Sequence, residues 1–257
     1  MLFTETDGLK YFTFESMNRV GIRHGIFTRR GGVSPAPWAS LNTGGLSGDE
    51  RNNVVENRKR IFTAMTLPVE SIFDVWQVHS NTVIYAKHPR PLDTPHQKGD
   101  AIFTDQTGVS LFMRFGDCVP ILLFDPVQKV IAIAHAGWQG TVKLIAEKVV
   151  MEMCTHKGCH PDNILAGIGP SIGADHYPVG ADVITEVMRA FGDVPSLLTD
   201  VNGKKHLDLW QANAIALRRA GVQQIEIANI CTACHHDDWY SHRFEHGKTG
   251  RFGAIIS

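Results

Sequence analysis

The sequence lacks a long hydrophobic run and an excess of charge of either sign. No stretch approaches the ~18 consecutive apolar residues of a transmembrane helix. Residues 1–15 carry Glu5, Asp7 and Lys10 among apolar residues, where a signal peptide would have an uninterrupted apolar core. The 25 Lys and Arg nearly balance the 26 Asp and Glu, so no basic block is present to bind nucleic acid or an anionic membrane. We expect a soluble, cytoplasmic protein.

Cysteine is also scarce in this chain. Five cysteines among 257 residues, an odd number, argue against a disulfide framework and fit a reducing compartment. Apolar residues make up 43% of the chain and charged residues 20%, which is enough apolar surface for a large core and too little charge for disorder. Since single domains of about 250 residues are common, we expect one domain over residues 1–257.

Hydrophobic periodicity predicts an α+β fold, because strands cluster in the middle of the chain and most helices come later. The predicted strands are 11–15, 20–28, 72–79, 82–86, 101–104, 109–115, 120–125, 129–135, 163–167, 224–229 and 252–256. The predicted helices are 49–65, with Asp49 as N-cap, 139–157, followed by Gly158, and 181–191 and 209–220. Residues 29–49, rich in glycine, proline and serine, predict a long packed loop.

Two of the thirteen histidines, His79 and His135, end predicted strands, and Cys118 stands at the start of another. Strand ends that face a turn are where α/β proteins place reactive groups. Two imidazoles and one thiolate form a ligand set that Zn²⁺ accepts, with a fourth position open for water or substrate. The spacing is weak evidence by itself. The competing interpretation is that Cys118 is a small buried hydrophobic residue and that the two histidines are strand-end residues with satisfied hydrogen bonds.

A second cysteine pattern, Cys231-Thr-Ala-Cys234-His235, matches the motif for covalent attachment of c-type haem. We reject that interpretation, because such haem is attached after export and no second axial ligand can be singled out. A small structural zinc site of Cys231, Cys234, His235 and His236 is an alternative to an incidental match.

Two glycine-rich stretches, 28–34 and 42–48, match neither a Walker loop nor a dinucleotide-binding fingerprint. The backbone N–H groups of Gly31 and Gly32, beside Arg29, are candidates for an anion site that holds phosphate or a carboxylate. A packed surface loop with solvated arginines is the competing interpretation.

Several motifs together resemble the laccase-domain family, from about Thr28 to the end of the chain. The motifs are Gln77-Val78-His79-Ser80, Gly116-Asp117-Cys118-Val119-Pro120, His135-Ala136-Gly137-Trp138-Gln139-Gly140, Gly169-Pro170-Ser171-Ile172, and Tyr240-Ser241-His242-Arg243 through Thr249-Gly250-Arg251. Members of this family are described as multicopper polyphenol oxidases, peptidoglycan editing factors and zinc-dependent purine nucleoside phosphorylases. The resemblance implies a layered sandwich of mixed β-sheets flanked by helices, with two related, intertwined halves.

The resemblance also implies that His79, Cys118 and His135 bind zinc, with copper as the alternative metal. The implied activity is phosphorolysis of adenosine, inosine, guanosine and methylthioadenosine, together with deamination of adenosine. Two departures from the family pattern are Phe115-Gly116, where an alanine is often found, and Gln139, where an arginine is usual. Loss of that arginine weakens anion binding at the turn and leaves Arg29 as the stronger phosphate candidate.

Phosphorolysis requires cationic or N–H donors for phosphate and a proton donor for the leaving base. Arg29 with Gly31 and Gly32 is the candidate for the first requirement, and Asp100 or Asp117 for the second. The remaining candidates are Asn42, Gln77 and Arg243 for substrate binding, and Cys118 and His135 for catalysis. The expected partners are purine nucleosides and phosphate, and the chain is expected to be a monomer or a homodimer.

Three other functions stay open. Cys118 as a thiolate nucleophile with His135 as its base would make a hydrolase or amidase that edits a peptidoglycan precursor. A copper polyphenol oxidase fits poorly, because multicopper sites use paired His-x-His motifs and this sequence has none. A metal-binding module without enzymatic activity is the last class.

Overall fold

Two six-stranded sheets form the centre of the protein in the computed structural model, which describes residues 2–257. The strands are β1 (Leu2–Thr6), β2 (Leu9–Thr13), β3 (His24–Phe27), β4 (Ile72–Phe73), β5 (Val83–Tyr85), β6 (Ala101–Thr104), β7 (Ser110–Phe115), β8 (Val119–Asp125), β9 (Val130–Ala136), β10 (Leu165–Ile168), β11 (Leu198–Val201), β12 (Lys204–Leu207), β13 (Gln224–Ile227) and β14 (Phe252–Ile256). The helices are α1 (Glu15–Arg19), α2 (Arg51–Ala64), α3 (Trp138–Val142), α4 (Ile145–Lys157), α5 (Ala181–Phe191) and α6 (Leu209–Arg219).

The strand order is β1-β2-β3-β14-β7-β4 in sheet A and β13-β10-β8-β9-β6-β5 in sheet B, and β11 and β12 form a separate hairpin. Both sheets are mixed: β4 runs parallel to β7, β5 to β6, and β13 to β10, whereas the other pairs are antiparallel. The predicted layered α+β fold is therefore confirmed. That residues 1–257 form one domain stays a prediction.

Alternate side chains of the central strands face opposite layers, as the two-residue period of a strand requires. Leu122 and Phe124 of β8 pack in the core between the two sheets, whereas Ile121 and Leu123 face the helices that cover sheet B. In sheet A, Phe112 of β7 points away from the core between the sheets and packs in the layer of α2. The layers therefore follow the order α2, sheet A, sheet B, and α3 to α6.

Several predicted elements differ from the structure. The strand predicted over 72–79 ends at Phe73, because Asp74 is buried among three arginines and the chain then turns to place His79. The strand predicted over 20–28 covers only β3, and β1, α1 and the β11–β12 hairpin were not predicted. The N-cap of α2 is Glu50, since the Asp49 carboxylate instead accepts hydrogen bonds from Ser34 and Asn42.

The helix predicted over 139–157 is two helices. Leu144 has φ of 57°, a left-handed conformation that interrupts the helical backbone between α3 and α4. Gly158 closes α4 in the left-handed conformation expected of a C-terminal glycine. Within residues 2–257, no helix is long and apolar enough to cross a membrane.

Two methionines on α4 provide a matched test of the packing against sheet B. Met153 is fully buried in that core, whereas Met151 is 57% exposed on the opposite face of the same helix. We expect Met153→Ala to lower the free energy of unfolding by about 2–5 kcal/mol, because it leaves a cavity in the core. Met151→Ala should change it by no more than about 0.5 kcal/mol, as measured by urea unfolding. Equal effects of the two substitutions would contradict the layer assignment.

Candidate metal centre and active site

Three strand ends meet at one end of sheet B. Cys118 directly precedes β8, and His135 lies near the end of β9, where it pairs with Pro120 across the antiparallel ladder. Asp100 directly precedes β6, whose first residue pairs with Ala134 of β9. The register of these strands therefore brings Asp100, Cys118 and His135 together, although 35 residues separate the first from the last.

His79 reaches this point from the loop between β4 and β5. Its φ is 58°, an uncommon conformation for a residue with a side chain, and such strain persists only where neighbouring contacts hold it. The Asp100 carboxylate supplies those contacts. It accepts hydrogen bonds from the backbone N–H groups of Val78 (3.2 Å), His79 (3.0 Å) and Ser80 (2.6 Å), and from the Ser80 hydroxyl (2.8 Å).

The same carboxylate orients His135. The Nδ1 atom of His135 lies 3.0 Å from Asp100 Oδ1, an arrangement that leaves Nε2 as the nitrogen able to bind a metal. Burial alone would raise the pKa of Asp100, but hydrogen bonds from His135 and Ser80 hold it at about 2. Burial also lowers the pKa of His135, which favours the neutral imidazole that a metal ligand requires. The Asp100 carboxylate is thus ionised and bonded to His135 and to the 78–80 segment, and its role as a proton carrier stays a prediction.

The candidate ligand atoms of His79, Cys118 and His135 all lie within 4.8 Å of one another. Cys118 Sγ is 3.9 Å from His79 Nε2, and the two imidazole rings meet edge to face with centroids 5.0 Å apart. A side chain at Gly137 would place its Cβ 2.8 Å from Cys118 Sγ, so glycine is needed in this turn. Burial, followed by the charge of Asp117, raises the pKa of the Cys118 thiol to about 12. This thiol is therefore not activated as a free nucleophile.

A cavity of about 390 Å³ opens beside the three candidate ligands. Its lining residues are Gly44, Gly45, Leu46, Ser47, Gln77, His79, Arg114, Gly116, Cys118, His135, His242 and Arg251. Arg251 donates to the carbonyl oxygen of Gly250 (2.7 Å) and lies 3.3 Å from Nδ1 of His242. Because a guanidinium only donates hydrogen bonds, His242 Nδ1 accepts this one, and the ring proton is on Nε2.

Arg114, the other guanidinium on the cavity wall, is held by a buried ion cluster. Asp74 is fully buried and lies 3.0 Å from Arg114, 2.8 Å from Arg90 and 3.4 Å from Arg58. Burial alone would raise the pKa of Asp74, but His96 and the arginines hold it far below its usual value. Three guanidinium groups around one carboxylate leave net positive charge, which favours an anion in the adjacent cavity.

A smaller hollow of about 180 Å³ also includes His79 and Cys118 in its wall. Its other lining residues are Asp117, Gly137, Trp138, Gln139, Ile172, Tyr177 and Leu209. Asp117 has φ of 84°, and its carboxylate accepts hydrogen bonds from the Thr232 hydroxyl (2.7 Å) and the Arg243 backbone N–H (2.6 Å). The hollow is more aromatic than the larger cavity and carries Asp117 beside the candidate metal ligands.

The predicted binding residues divide into those near the cavities and those elsewhere. Gln77 lines the large cavity and bonds to both backbone groups of Arg114. Asn42 is buried behind the wall, where its Oδ1 accepts from the N–H groups of Gly44 (2.9 Å) and Arg251 (2.8 Å). The Arg243 guanidinium lies over the ring of Tyr177, 4.9 Å from its centroid.

The structure does not bring Arg29 to either cavity. Its guanidinium donates to the carbonyls of Ala39 (2.8 Å) and His236 (2.9 Å), pairs with Glu245 (3.0 Å) and lies over the Tyr240 ring. Gly31 and Gly32 line neither cavity, and the N–H of Gly32 already donates to the Ser40 hydroxyl at 3.0 Å. The cations beside the candidate metal ligands are instead Arg114 and Arg251. Arg251 lies in the last of the family motifs, Thr249-Gly250-Arg251, whereas no sequence signal singles out Arg114.

Comparison with known proteins identifies relatives over nearly the whole chain. A family model described as multi-copper polyphenol oxidoreductase laccase matches residues 23–257. A protein of Deinococcus radiodurans named purine nucleoside phosphorylase is 38% identical over 92% of this chain and 89% of its own length. A protein of an unknown prokaryotic organism named adenosine deaminase RL5 is 32% identical over 80% of this chain and 82% of its own. The crystal structure of YlmD from Geobacillus stearothermophilus superimposes with a TM-score of 0.92 at 32% identity, covering 99% of this chain and 97% of that one.

Asp100 provides a test of how the two imidazoles are positioned. We expect Asp100→Asn to weaken zinc binding about 10- to 100-fold, because an amide cannot accept all the hydrogen bonds that now orient His79 and His135. Competition with a chromophoric chelator measures the affinity, and the circular dichroism spectrum establishes that the variant is folded. Asp105→Asn, which removes a carboxylate paired with Lys157 just beyond the other end of β6, is the matched control. Unchanged zinc affinity in folded Asp100→Asn protein would contradict this role.

Proposed function

This chain belongs to the multi-copper polyphenol oxidoreductase laccase family, and we propose that it is a zinc-dependent purine nucleoside phosphorylase. One observation carries the proposal: a His-Cys-His ligand set and two guanidinium groups, Arg114 and Arg251, line the same cavity. The name of the Deinococcus relative supports it. The proposed substrates are phosphate and the purine nucleosides adenosine, inosine, guanosine and methylthioadenosine.

The chemistry of the donor set fits zinc. One thiolate and two neutral imidazoles are typical ligands of Zn²⁺, and three protein ligands leave a position open, as catalytic sites require. His79, Cys118 and His135 would hold the ion, with Asp100 orienting the ring of His135 and holding the backbone of His79. The zinc ion would supply Lewis acidity and would lower the pKa of a water molecule at its open position. A multicopper centre needs more imidazoles than this cluster of two provides.

The phosphate substrate is assigned to the arginine side of the cavity. Guanidinium groups match the oxygens of phosphate and bind them with paired hydrogen bonds. Arg251 and Arg114 are already fixed by contacts with Gly250 and Asp74, so little side-chain entropy is lost when the anion binds. This placement would orient a phosphate oxygen toward C1′ of a ribose bound in the same cavity, and orientation of this kind lowers the barrier to attack.

His242 is the proposed hydrogen-bond donor to the leaving purine. It lines the cavity, and its Nε2 carries the ring proton because Nδ1 accepts from Arg251. In the proposed reaction the phosphate oxygen forms a bond to C1′ while the bond from C1′ to the purine nitrogen breaks. The electron pair of that bond goes to the base, whose developing negative charge the Nε2–H of His242 stabilises until the base takes up a proton from water.

Adenosine deamination is the second proposed activity. The smaller hollow reaches His79 and Cys118 from another direction and carries Asp117 and aromatic side chains against which a purine could stack. The relative named adenosine deaminase RL5 supports this assignment.

The alternative of a Cys118-dependent hydrolase is not favoured. Reactive cysteines need an environment that lowers the pKa of the thiol, and here burial and the charge of Asp117 raise the pKa of Cys118.

A cytoplasmic location is also proposed. All five cysteines are free thiols, which fits a reducing compartment.

Phosphate dependence is the direct test of the proposed reaction. We expect zinc-loaded protein to convert inosine to hypoxanthine and ribose 1-phosphate when phosphate is present, and to form no free base without it. His79→Ala should abolish the reaction, because it removes one of the proposed zinc ligands. His88→Ala, which changes an exposed histidine outside the cavities, is the matched control and should keep the wild-type rate. Release of hypoxanthine at the same rate without phosphate would overturn the proposal in favour of hydrolysis.

Arg251 provides a separate test of the phosphate site. We expect Arg251→Gln to raise the KM for phosphate about 10- to 100-fold, which is the value of one or two hydrogen bonds to a charged group. The KM for inosine should stay within about threefold of wild type, since the proposed contact of Arg251 with substrate is to phosphate and not to the nucleoside. Arg60→Gln, which removes a surface guanidinium paired with Glu56, is the control. An equal rise of both KM values would show that Arg251 supports the cavity as a whole rather than the phosphate.

A further inference from the structure

A second group of metal-ligand side chains lies outside the large cavity. The ligand atoms of Asp175, His176, Cys231 and Cys234 all lie within 4.8 Å of one another. The first two residues belong to the segment between β10 and α5, and the two cysteines to the loop between β13 and β14. None of the four lines the cavity that we assign to phosphate and nucleoside. The function proposed above makes no use of them.

The structure pairs the Cys-x-x-Cys motif with partners that the sequence did not indicate. Sequence spacing suggested His235 and His236 as the remaining ligands, but the His236 ring stacks on Phe244 with centroids 4.2 Å apart. The histidine beside both thiols is instead His176, which comes from a segment more than 50 residues earlier. Folding therefore completes a set of two thiols, one imidazole and one carboxylate.

The distances within this group match those of a tetrahedral metal site. Zinc bonds of about 2.0–2.3 Å put neighbouring ligand atoms about 3.3–3.8 Å apart in a tetrahedron. His176 Nδ1 lies 3.8 Å from Cys231 Sγ and 3.5 Å from Cys234 Sγ. The nearer Asp175 Oδ2 atom lies 3.2 Å from Cys234 Sγ and 3.0 Å from His176 Nδ1.

The backbone around the group is also arranged for it. The N–H of Gly173 donates to Cys231 Sγ at 3.2 Å, and a hydrogen bond of this kind stabilises a thiolate. A Cβ at position 173 would lie 3.2 Å from Cys231 Cβ and 3.3 Å from Cys231 Sγ, so glycine favours the close approach of the two segments. Both cysteines are free thiols in the structure.

We propose that Asp175, His176, Cys231 and Cys234 bind a second zinc ion. Two thiolates and an imidazole are the donors that zinc prefers, and a fourth protein ligand completes the tetrahedron. A zinc ion with four protein ligands has no open position for substrate, so its role is structural. The inference does not depend on the phosphorylase activity, because its four ligands are separate from His79, Cys118 and His135.

This zinc ion would join two segments, the first of which lines the smaller hollow through Ile172 and Tyr177. Their backbones already meet where the Thr232 N–H donates to the Ser171 carbonyl at 3.0 Å. Each segment also reaches the hollow close to that contact. In the first segment, Tyr177 directly follows His176 and lines the hollow. In the second, the Thr232 hydroxyl donates a hydrogen bond to the carboxylate of Asp117, which lines the hollow next to Cys118. Removal of this zinc should therefore lower the Tm and loosen the hollow without removing a ligand of the first site.

Zinc counting in ligand variants tests the proposal. We expect elemental analysis of purified protein, dialysed against a weak chelator, to find two zinc ions per chain in the wild type and one in His79→Ala/Cys118→Ser. Cys234→Ser should also retain one zinc ion. His176→Ala should do the same, and because the His176 ring is half-exposed, this variant keeps the test valid if Cys234→Ser fails to fold. Cys154→Ser removes a half-buried thiol on α4 and should retain two.

Cobalt substitution gives a readout that does not depend on activity. Cobalt-loaded His79→Ala/Cys118→Ser protein should keep the near-ultraviolet absorption of thiolate bound to cobalt, and adding Cys234→Ser should remove it. One zinc ion per wild-type chain that is lost in His79→Ala/Cys118→Ser, or a disulfide between Cys231 and Cys234 in protein purified under reducing conditions, would overturn the proposal. Two zinc ions without phosphorolysis would overturn the proposed function and leave this second site standing.

Discussion

The candidate site depends on one buried carboxylate. Asp100 accepts hydrogen bonds from three successive backbone N–H groups of the 78–80 segment and lies beside Nδ1 of His135, so a single side chain holds the backbone of His79 and orients the ring of His135. These contacts keep Asp100 ionised inside the protein and hold His79 in a left-handed conformation that it would otherwise leave. The register between β8 and β9 of sheet B then places Cys118 beside the two histidines, which completes the set of three candidate metal ligands.

The sandwich brings together two kinds of chemistry from its two sheets. Sheet B supplies Cys118 and His135 at the ends of β8 and β9, whereas Arg114 lies on β7 of sheet A and Arg251 directly precedes β14 of the same sheet. The cavity lies where these strand ends face each other, so metal ligands occupy one side and guanidinium groups the other. Because Cys118, His135, Arg114 and Arg251 lie on strands or directly before them, the packing between the sheets sets their separation, whereas the 78–80 loop places His79.

The parts of this site that sequence could predict are those with a local signal. Cys118 and His135 stand at strand ends that hydrophobic periodicity and the family motifs both locate, whereas His79 lies in a loop and only its family motif locates it. Arg29 was singled out by a glycine-rich loop, but Glu245 and Tyr240, more than 200 residues later, take its guanidinium. The break at Leu144, which has neither glycine nor proline beside it, likewise carries no signal in the sequence.

Other features depend on pairings between distant segments. Arg114 reaches the cavity only because β7 pairs with β4, which places it beside Asp74. His176 meets Cys231 because the segments after β10 and β13 run side by side. The position of β14 between β3 and β7 has a consequence for biosynthesis. Until residues 252–256 have left the ribosome, sheet A stays in two parts, and the unpaired edges of β3 and β7 are exposed to pairing with other chains.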